Sequence, residues 1–291
     1  MNISPKGGKK VKGVEITILC ENLVGRMVGS GEHGFSAFIE TDQGNYLFDT
    51  GNGHAIVSNS LLLDKDLRSI KKIFLSHGHK DHTGGLPEVL KLRGQVDVHA
   101  HLHIFLDRIG IHKQENKKEI RQFAGTIYKR RYLEFLGANF ILNTDFCEVE
   151  KGIFLTGEVP RRTVFEKPDP GLFSEIEGKL TQDFIQDDQS LVLDTEKGLI
   201  LILGCAHSGM INIINHVINK TGKEKFYAIL GGTHLDFLTP DQLEESIKSL
   251  KKMKIEKIGV SHCTGIKAAA RLHQEFGGRF LYGCVGSMLE V

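Results

Sequence analysis

The chain has 291 residues, 40% hydrophobic and 25% charged, a length for one large domain or two small ones and a composition too aliphatic for extended disorder. Its formal net charge of +1 marks neither a nucleic acid nor a membrane surface as a partner. Short basic runs at Lys6–Lys12 and Lys129–Arg131 accordingly read as solvated surface. The five cysteines, Cys20, Cys147, Cys205, Cys263 and Cys284, are odd in number, widely spaced and without a CxxC pair. They suggest neither a disulfide framework nor a zinc ribbon, and read as reduced thiols of a cytoplasmic protein. The longest apolar runs, such as Leu199–Leu203, are too short to span a bilayer. Residues 1–12 lack the hydrophobic core of a signal peptide and read as a flexible lead-in.

Along the chain, Val14–Cys20 alternates as a half-buried strand, and Phe35–Glu40 pairs with Tyr46–Asp49 around a turn at Thr41–Gly44. Ile73–Ser76 is a short apolar run ending at a cluster of histidines, followed by helical spacing at Leu86–Leu92 and a strand at Val96–Ala100. Residues 101–136 are polar, with no clear strand, and read as a helical insertion. A strand at Ile153–Thr156 precedes a long loop, Glu158–Asp188, of the kind that serves as a lid or binding segment. The second half is more regular. It carries a strand pair, Leu191–Asp194 and Leu199–Leu203, then helix Met210–Asn219, strand Phe226–Leu230, helix Pro240–Met253 capped by Thr239, strand Lys257–Val260 and helix Lys267–Phe276. Sheets in both halves, each with helices for one face, predict a four-layer αββα sandwich, an α/β fold in a single domain over 13–291.

The chemistry concentrates in Ser76-His77-Gly78-His79-Lys80-Asp81-His82-Thr83-Gly84-Gly85. Three imidazoles and a carboxylate directly after a strand are the ligand types that zinc and similar divalent ions take. His77 and His79 can converge on one ion while Asp81 and His82 turn toward a second, with Gly78 relaxing the backbone between ligands. Ile258–His262 places another histidine at the end of an apolar strand.

These residues spell HxHxDH, and the chain there resembles the metallo-β-lactamase superfamily. The resemblance implies that His262 is the last metal ligand. It also implies that Asp49, in Leu47-Phe48-Asp49-Thr50-Gly51, supports the metal loop by hydrogen bonds without binding metal. The middle ligands depart from the pattern. The family places a histidine before the strand pair Leu191–Leu203 and an aspartate at its end; here Asp187-Asp188-Gln189-Ser190 precedes it and Gly204-Cys205-Ala206-His207 follows. His207 is the replacement ligand that fits. Asp188 is either a substitute ligand or a turn acceptor, and Cys205 either a thiolate ligand or a buried thiol.

Several further segments are similar to the dihydropterin–ribofuranosylaminobenzene phosphate synthase-like branch of that superfamily. They are Thr156–Arg161, Gly204–Gly209 with Ile211-Asn212, Gly231–Leu235 and Ser261–Gly265. Glu158 and Arg161 can face the metals, the arginine suiting a phosphate, or form a structural ion pair. His234 reads as a substrate or acid–base group. His99, His101 and His103 read as a variable surface, and His33, His54 and His112 stand alone. The expected function is metal-dependent hydrolysis of a small phosphate-containing, ester or lactone substrate by metal-bound hydroxide, with Asp81 or His234 moving the proton. One or two ions are expected, zinc first, with iron or manganese as options. The resemblance implies a synthase as alternative, joining a dihydropterin diphosphate to ribofuranosylaminobenzene phosphate, and an iron-dependent redox module is a third reading.

Overall fold

The computed structural model describes residues 10–25, 27–113 and 118–291. Most of the expected lead-in, residues 1–9, lies outside the described residues. Its end is not loose: Val11 is buried and its N–H donates to the carbonyl of Asp194 at 2.9 Å.

Two seven-stranded sheets form the centre. The first runs Met288–Glu290, Glu15–Cys20, Ser36–Thr41, Gly44–Phe48, Ile70–Phe74, Val96–His101, Ala138–Asn143 in spatial order. The second runs Phe280–Tyr282, Lys254–Val260, Lys225–Gly231, Gly198–Leu203, Leu191–Thr195, Ile153–Leu155, Cys147–Glu150. Period-2 alternation assigns each side chain a layer. Leu191 and Leu193 join Ile16, Ile39, Phe48 and Phe74 between the sheets, whereas Val192 faces the outer helices.

Helices Met210–Thr221, Pro240–Leu250 and Ile266–Phe276 cover the second sheet through Ile214, Val217, Ile247 and Leu272. Ile56–Leu62, Leu86–Arg93 and Arg130–Phe135 cover the first. The architecture is the expected four-layer αββα sandwich. Thr239 caps Pro240–Leu250 by accepting from the N–H of Gln242, with proline at the first helical turn. No helix among the described residues is long and apolar enough to cross a membrane.

The helical insertion expected over 101–136 is corrected. That segment carries strands Arg108–Lys113 and Glu119–Phe123 and, among the described residues, one short helix, Arg130–Phe135. The loop Glu158–Asp188 is no plain loop either: its hairpin Leu172–Ile176 and Lys179–Gln182 pairs with Arg108–Lys113 in a third, four-stranded antiparallel sheet. Glu119–Phe123 is exposed along its whole length. A strand that buries no side has no apolar alternation by which to be recognised.

Candidate metal centre

Histidines reach a common point because strand ends of both sheets meet there. His77, His79, Asp81 and His82 follow Ile70–Phe74 of the first sheet, while Cys205 and His207, His234, and His262 with Cys263 follow three adjacent parallel strands of the second. Glycine makes the approach possible. A Cβ on Gly204 would overlap the Ser76 hydroxyl, so only glycine lets the second sheet close on the metal loop.

Within the loop, hydrogen bonds fix which ring nitrogen is free. Asp49 is wholly buried; its Oδ1 accepts from Ser76 N at 2.7 Å and its Oδ2 from Ser76 Oγ and His82 Nδ1, both at 2.7 Å. Ser76 Oγ, having donated to Asp49, accepts from His77 Nδ1 at 2.8 Å. His77 and His82 are thereby left with Nε2 as the lone-pair nitrogen, the arrangement that orients a metal-binding imidazole. His262 is held likewise: its Nδ1 lies 2.9 Å from Asn22 Oδ1 and its backbone N–H donates to Glu21.

The free atoms converge. His77 Nε2 is 3.0 Å from His79 Nδ1, and His207 packs edge-on against both rings, with centroids 4.8 and 4.9 Å away. His82 Nε2 lies 3.1 Å from Cys205 Sγ and 3.3 Å from His262 Nε2. Asp81 Oδ2 lies 3.1 Å from His262 Nε2 and 3.3 Å from His33 Nε2. Ligand atoms lie within 4.8 Å of one another in four trios: His77, His79, His207; His77, His82, Cys205; Cys205, His234, Cys263; and His33, Asp81, His262.

Burial pushes His79 down to about 3 and His77 and His207 well below the ordinary imidazole value, so these rings are neutral. Burial lowers His82 too, but Asp49 and Asp81 overcome this and hold it at about 9, so in the metal-free chain its Nε2 carries a proton that a bound ion would displace. For Asp81, burial favours the acid, yet His82, His262 and His33 outweigh it and keep the carboxylate ionised. Two neutral imidazole nitrogens 3.0 Å apart are placed to share a cation, and Nε2 of both His79 and His207 is buried without a hydrogen-bond partner among the described residues. The donor set fits one or two divalent ions.

Other expected residues take different places. Asp188 Oδ2 accepts from Ser208 N at 2.8 Å, steadying the turn that carries His207, and Asp188 belongs to none of the ligand trios. Burial raises it to about 6. Glu158 pairs with His101 at 3.1 Å, and Arg161 donates to the carbonyl of Phe184 at 2.5 Å, not to a carboxylate. His99 and His101, expected on a variable surface, are buried in the strand Val96–His101. His33, expected to stand alone, joins Asp81 and His262. His234 sits at the edge of the centre, its ring 4.4 Å from that of His207 and its Nε2 3.1 Å from Asp169 Oδ2.

Cys263, Asn22, Glu21 and Asp169 escaped the sequence reading. Only Cys263 had a signal, its place next to His262. Arg108 also escaped it. Its buried guanidinium bridges Asp183 at 2.9 Å and Asp187 at 2.6 Å, and Asp187 in turn accepts from Gly78 N at 2.8 Å, tying the third sheet to the metal loop.

Two sheets meeting at a histidine-rich loop define a class, and the chain belongs to the metallo-beta-lactamase superfamily, whose family model matches residues 29–172. It is 34% identical over 279 residues, 92% of this chain and 93% of the relative, to the 7,8-dihydropterin-6-methyl-4-(beta-D-ribofuranosyl)-aminobenzene-5'-phosphate synthase of Methanocaldococcus jannaschii. An uncharacterized protein of the same organism is 32% identical over 271 residues, 89% of this chain and 94% of its own. Among solved structures, Tm1679, a metal-dependent hydrolase of the beta-lactamase superfamily, aligns with a TM-score of 0.80 at 28% identity, covering 96% of this chain and 99% of that one.

Proposed function

We propose that the protein is a metal-dependent hydrolase of small phosphate-bearing esters, working at the point where His77, His79, Asp81, His82, His207 and His262 converge. The observation that carries the reading is the facing pair of neutral nitrogens, His77 Nε2 and His79 Nδ1, with His207 against both. When bound, a divalent ion supplies Lewis acidity toward the oxygens attacked or expelled, and a nucleophile at neutral pH. Zinc matches the imidazole-rich set, with iron and manganese as alternatives.

The chain's own groups do the rest. Asp49 keeps the His82 proton on Nδ1, and Asn22 keeps that of His262 on Nδ1. Asp81 Oδ2 is the carboxylate oxygen that receives a proton, and His33, exposed and 3.3 Å away, passes it to solvent. A cavity of about 1040 Å³ beside the turn after His207 is lined by Ser208, Arg161, Arg162 and Lys220. Three cationic side chains and a hydroxyl suit phosphate oxygens. Arg161 Nη1 is buried without a partner among the described residues, a donor left for such a ligand.

A second reading, the synthase that joins a dihydropterin diphosphate to ribofuranosylaminobenzene phosphate, is supported by the 34% identity over 92% of the chain. Both readings need the same metal centre and a phosphate site. Turnover by the zinc-loaded protein is measured on phosphomonoesters, phosphodiesters, lactones and the pterin diphosphate–arylamine pair. Hydrolysis of a phosphate ester is expected; turnover of the arylamine pair alone transfers the assignment to the synthase.

A further inference from the structure

Three parallel strands of the second sheet end side by side, and each delivers a soft or borderline ligand. Gly198–Leu203 leads to Cys205, Lys225–Gly231 to His234, and Lys254–Val260 to Cys263. The two sulfurs and an imidazole nitrogen lie within 4.8 Å of one another, and all three residues are buried. Neither thiol is in a disulfide.

His234 is prepared as a metal ligand is. Its Nε2 is taken by Asp169 Oδ2 at 3.1 Å, and its ring stacks on Phe237 with centroids 4.8 Å apart. The ring's other side-chain partner is Cys263, one of the two sulfurs, and Nδ1 is buried with no oxygen or nitrogen to bond among the described residues. A carboxylate on one imidazole nitrogen, with the ring turned toward sulfur on its other side, is the arrangement that outer carboxylates impose on metal-binding histidines; the proton that Asp169 and Cys263 hold on the metal-free ring would leave when an ion binds. His234 also holds a left-handed backbone, φ +55°, uncommon outside glycine. Such strain persists where surrounding contacts demand it.

The space between the strands is cleared for the sulfurs. A Cβ on Gly232 would lie 2.6 Å from Cys263 Sγ and 3.3 Å from the Cα of Cys205. Any larger residue there would displace Cys263.

We infer that Cys205, His234 and Cys263 form a thiolate metal position, distinct from the imidazole and carboxylate positions beside it and sharing its edge with them at Cys205. Two thiolates and an imidazole are the ligands of a borderline-to-soft ion, zinc above all, and do not suit magnesium or calcium. This assigns His234 to metal binding in place of the substrate or acid–base role expected from the sequence. Binding deprotonates the thiols, releasing their protons to solvent as the metal–sulfur bonds form.

The test is the zinc content of the saturated protein by elemental analysis, together with zinc X-ray absorption. The unaltered chain is expected to hold one zinc ion beyond the one or two of the imidazole and carboxylate positions and to show sulfur neighbours at about 2.3 Å. Cys263→Ser is expected to hold one ion fewer, with the sulfur signal reduced. A shell of nitrogen and oxygen alone in the unaltered chain, or a folded Cys263→Ser variant holding as many ions as the unaltered chain, would each overturn the inference. If that variant does not fold, the unaltered chain decides alone. Because the readout is stoichiometry and ligand type, two ions with no sulfur would defeat this position and leave the proposed function standing.

Discussion

Asp49→Asn isolates the support of the metal loop from the loop itself. The backbone at residue 49 has φ +58°, a conformation that asparagine accepts as readily as aspartate, so the exchange leaves the fold undisturbed and alters only hydrogen bonding. The carboxylate accepts three short bonds, from Ser76 N, Ser76 Oγ and His82 Nδ1. An amide cannot accept all three. With its oxygen kept toward His82, its NH2 opposes the Ser76 N–H. With the amide turned over, its NH2 faces His82 Nδ1 and drives the ring proton to Nε2, the atom needed for the ion. Loss of such an orienting partner costs about 10–100-fold in metal affinity, or about 1.4–2.7 kcal/mol. The assay is zinc competition against a chromophoric chelator, with circular dichroism to confirm the fold. The same variant removes one of the two carboxylates that hold His82 at about 9, so its titration in metal-free protein, followed by NMR, shifts down. A folded variant with wild-type zinc affinity refutes the reasoning.

Three further outcomes are expected. Arg108→Ala strands Asp183 and Asp187 as buried carboxylates and costs about 3–5 kcal/mol in urea unfolding; a loss under about 1 kcal/mol contradicts the clamp described. Glu166 caps the N–H groups of Ile211 and Asn212 at 2.7 and 2.8 Å, and burial raises it from 4.5 to about 7. The folded chain therefore keeps a proton that the unfolded chain releases, and stability falls as pH rises from 4.5 to about 7, by about 3 kcal/mol in all at 1.36 kcal/mol per pKa unit. Glu166→Gln flattens that slope in urea titrations across the window, and an unchanged slope assigns it to another group. His79→Ala abolishes both metal retention and turnover while His103→Ala leaves both nearly intact; equal effects, by elemental analysis and rate, discredit the centre.

What was legible in the sequence was what lies close together along it. His77, His79, Asp81 and His82 fall within six residues after a strand, so their chemistry shows without any knowledge of the fold. Asp49 and His262 were legible through the family resemblance, each standing at the end of an apolar run where that pattern has its counterpart. The remainder depends on contacts between distant segments. Asp169 meets His234 across 65 residues, Arg108 meets Asp183 across 75, and the Glu21 carboxylate reaches the His262 amide across 241. No local pattern announces such pairs. The third sheet was hidden for a related reason: Glu119–Phe123 and Lys179–Gln182 are exposed throughout, and Arg108–Lys113 pairs with Leu172–Ile176, about 60 residues further along the chain.

The departure at Cys205 and His207 has a backbone cause. Ala206, between them, has φ +55°, and Asp49, His234 and His262 are also left-handed; these are four of the seven non-glycine residues with positive φ among those described. Left-handed backbone costs about 1–2 kcal/mol per such residue, and here it gathers at one end of the two sheets. A regular strand end would project Cys205 and His207 alike, whereas the kink at Ala206 lets the Cys205 sulfur approach His82 at 3.1 Å while the His207 ring meets His77 and His79. One strand end thus serves both sides of the centre. His207, carried past the strand by that kink, occupies the space against His77 and His79, and Asp188 braces the turn behind it.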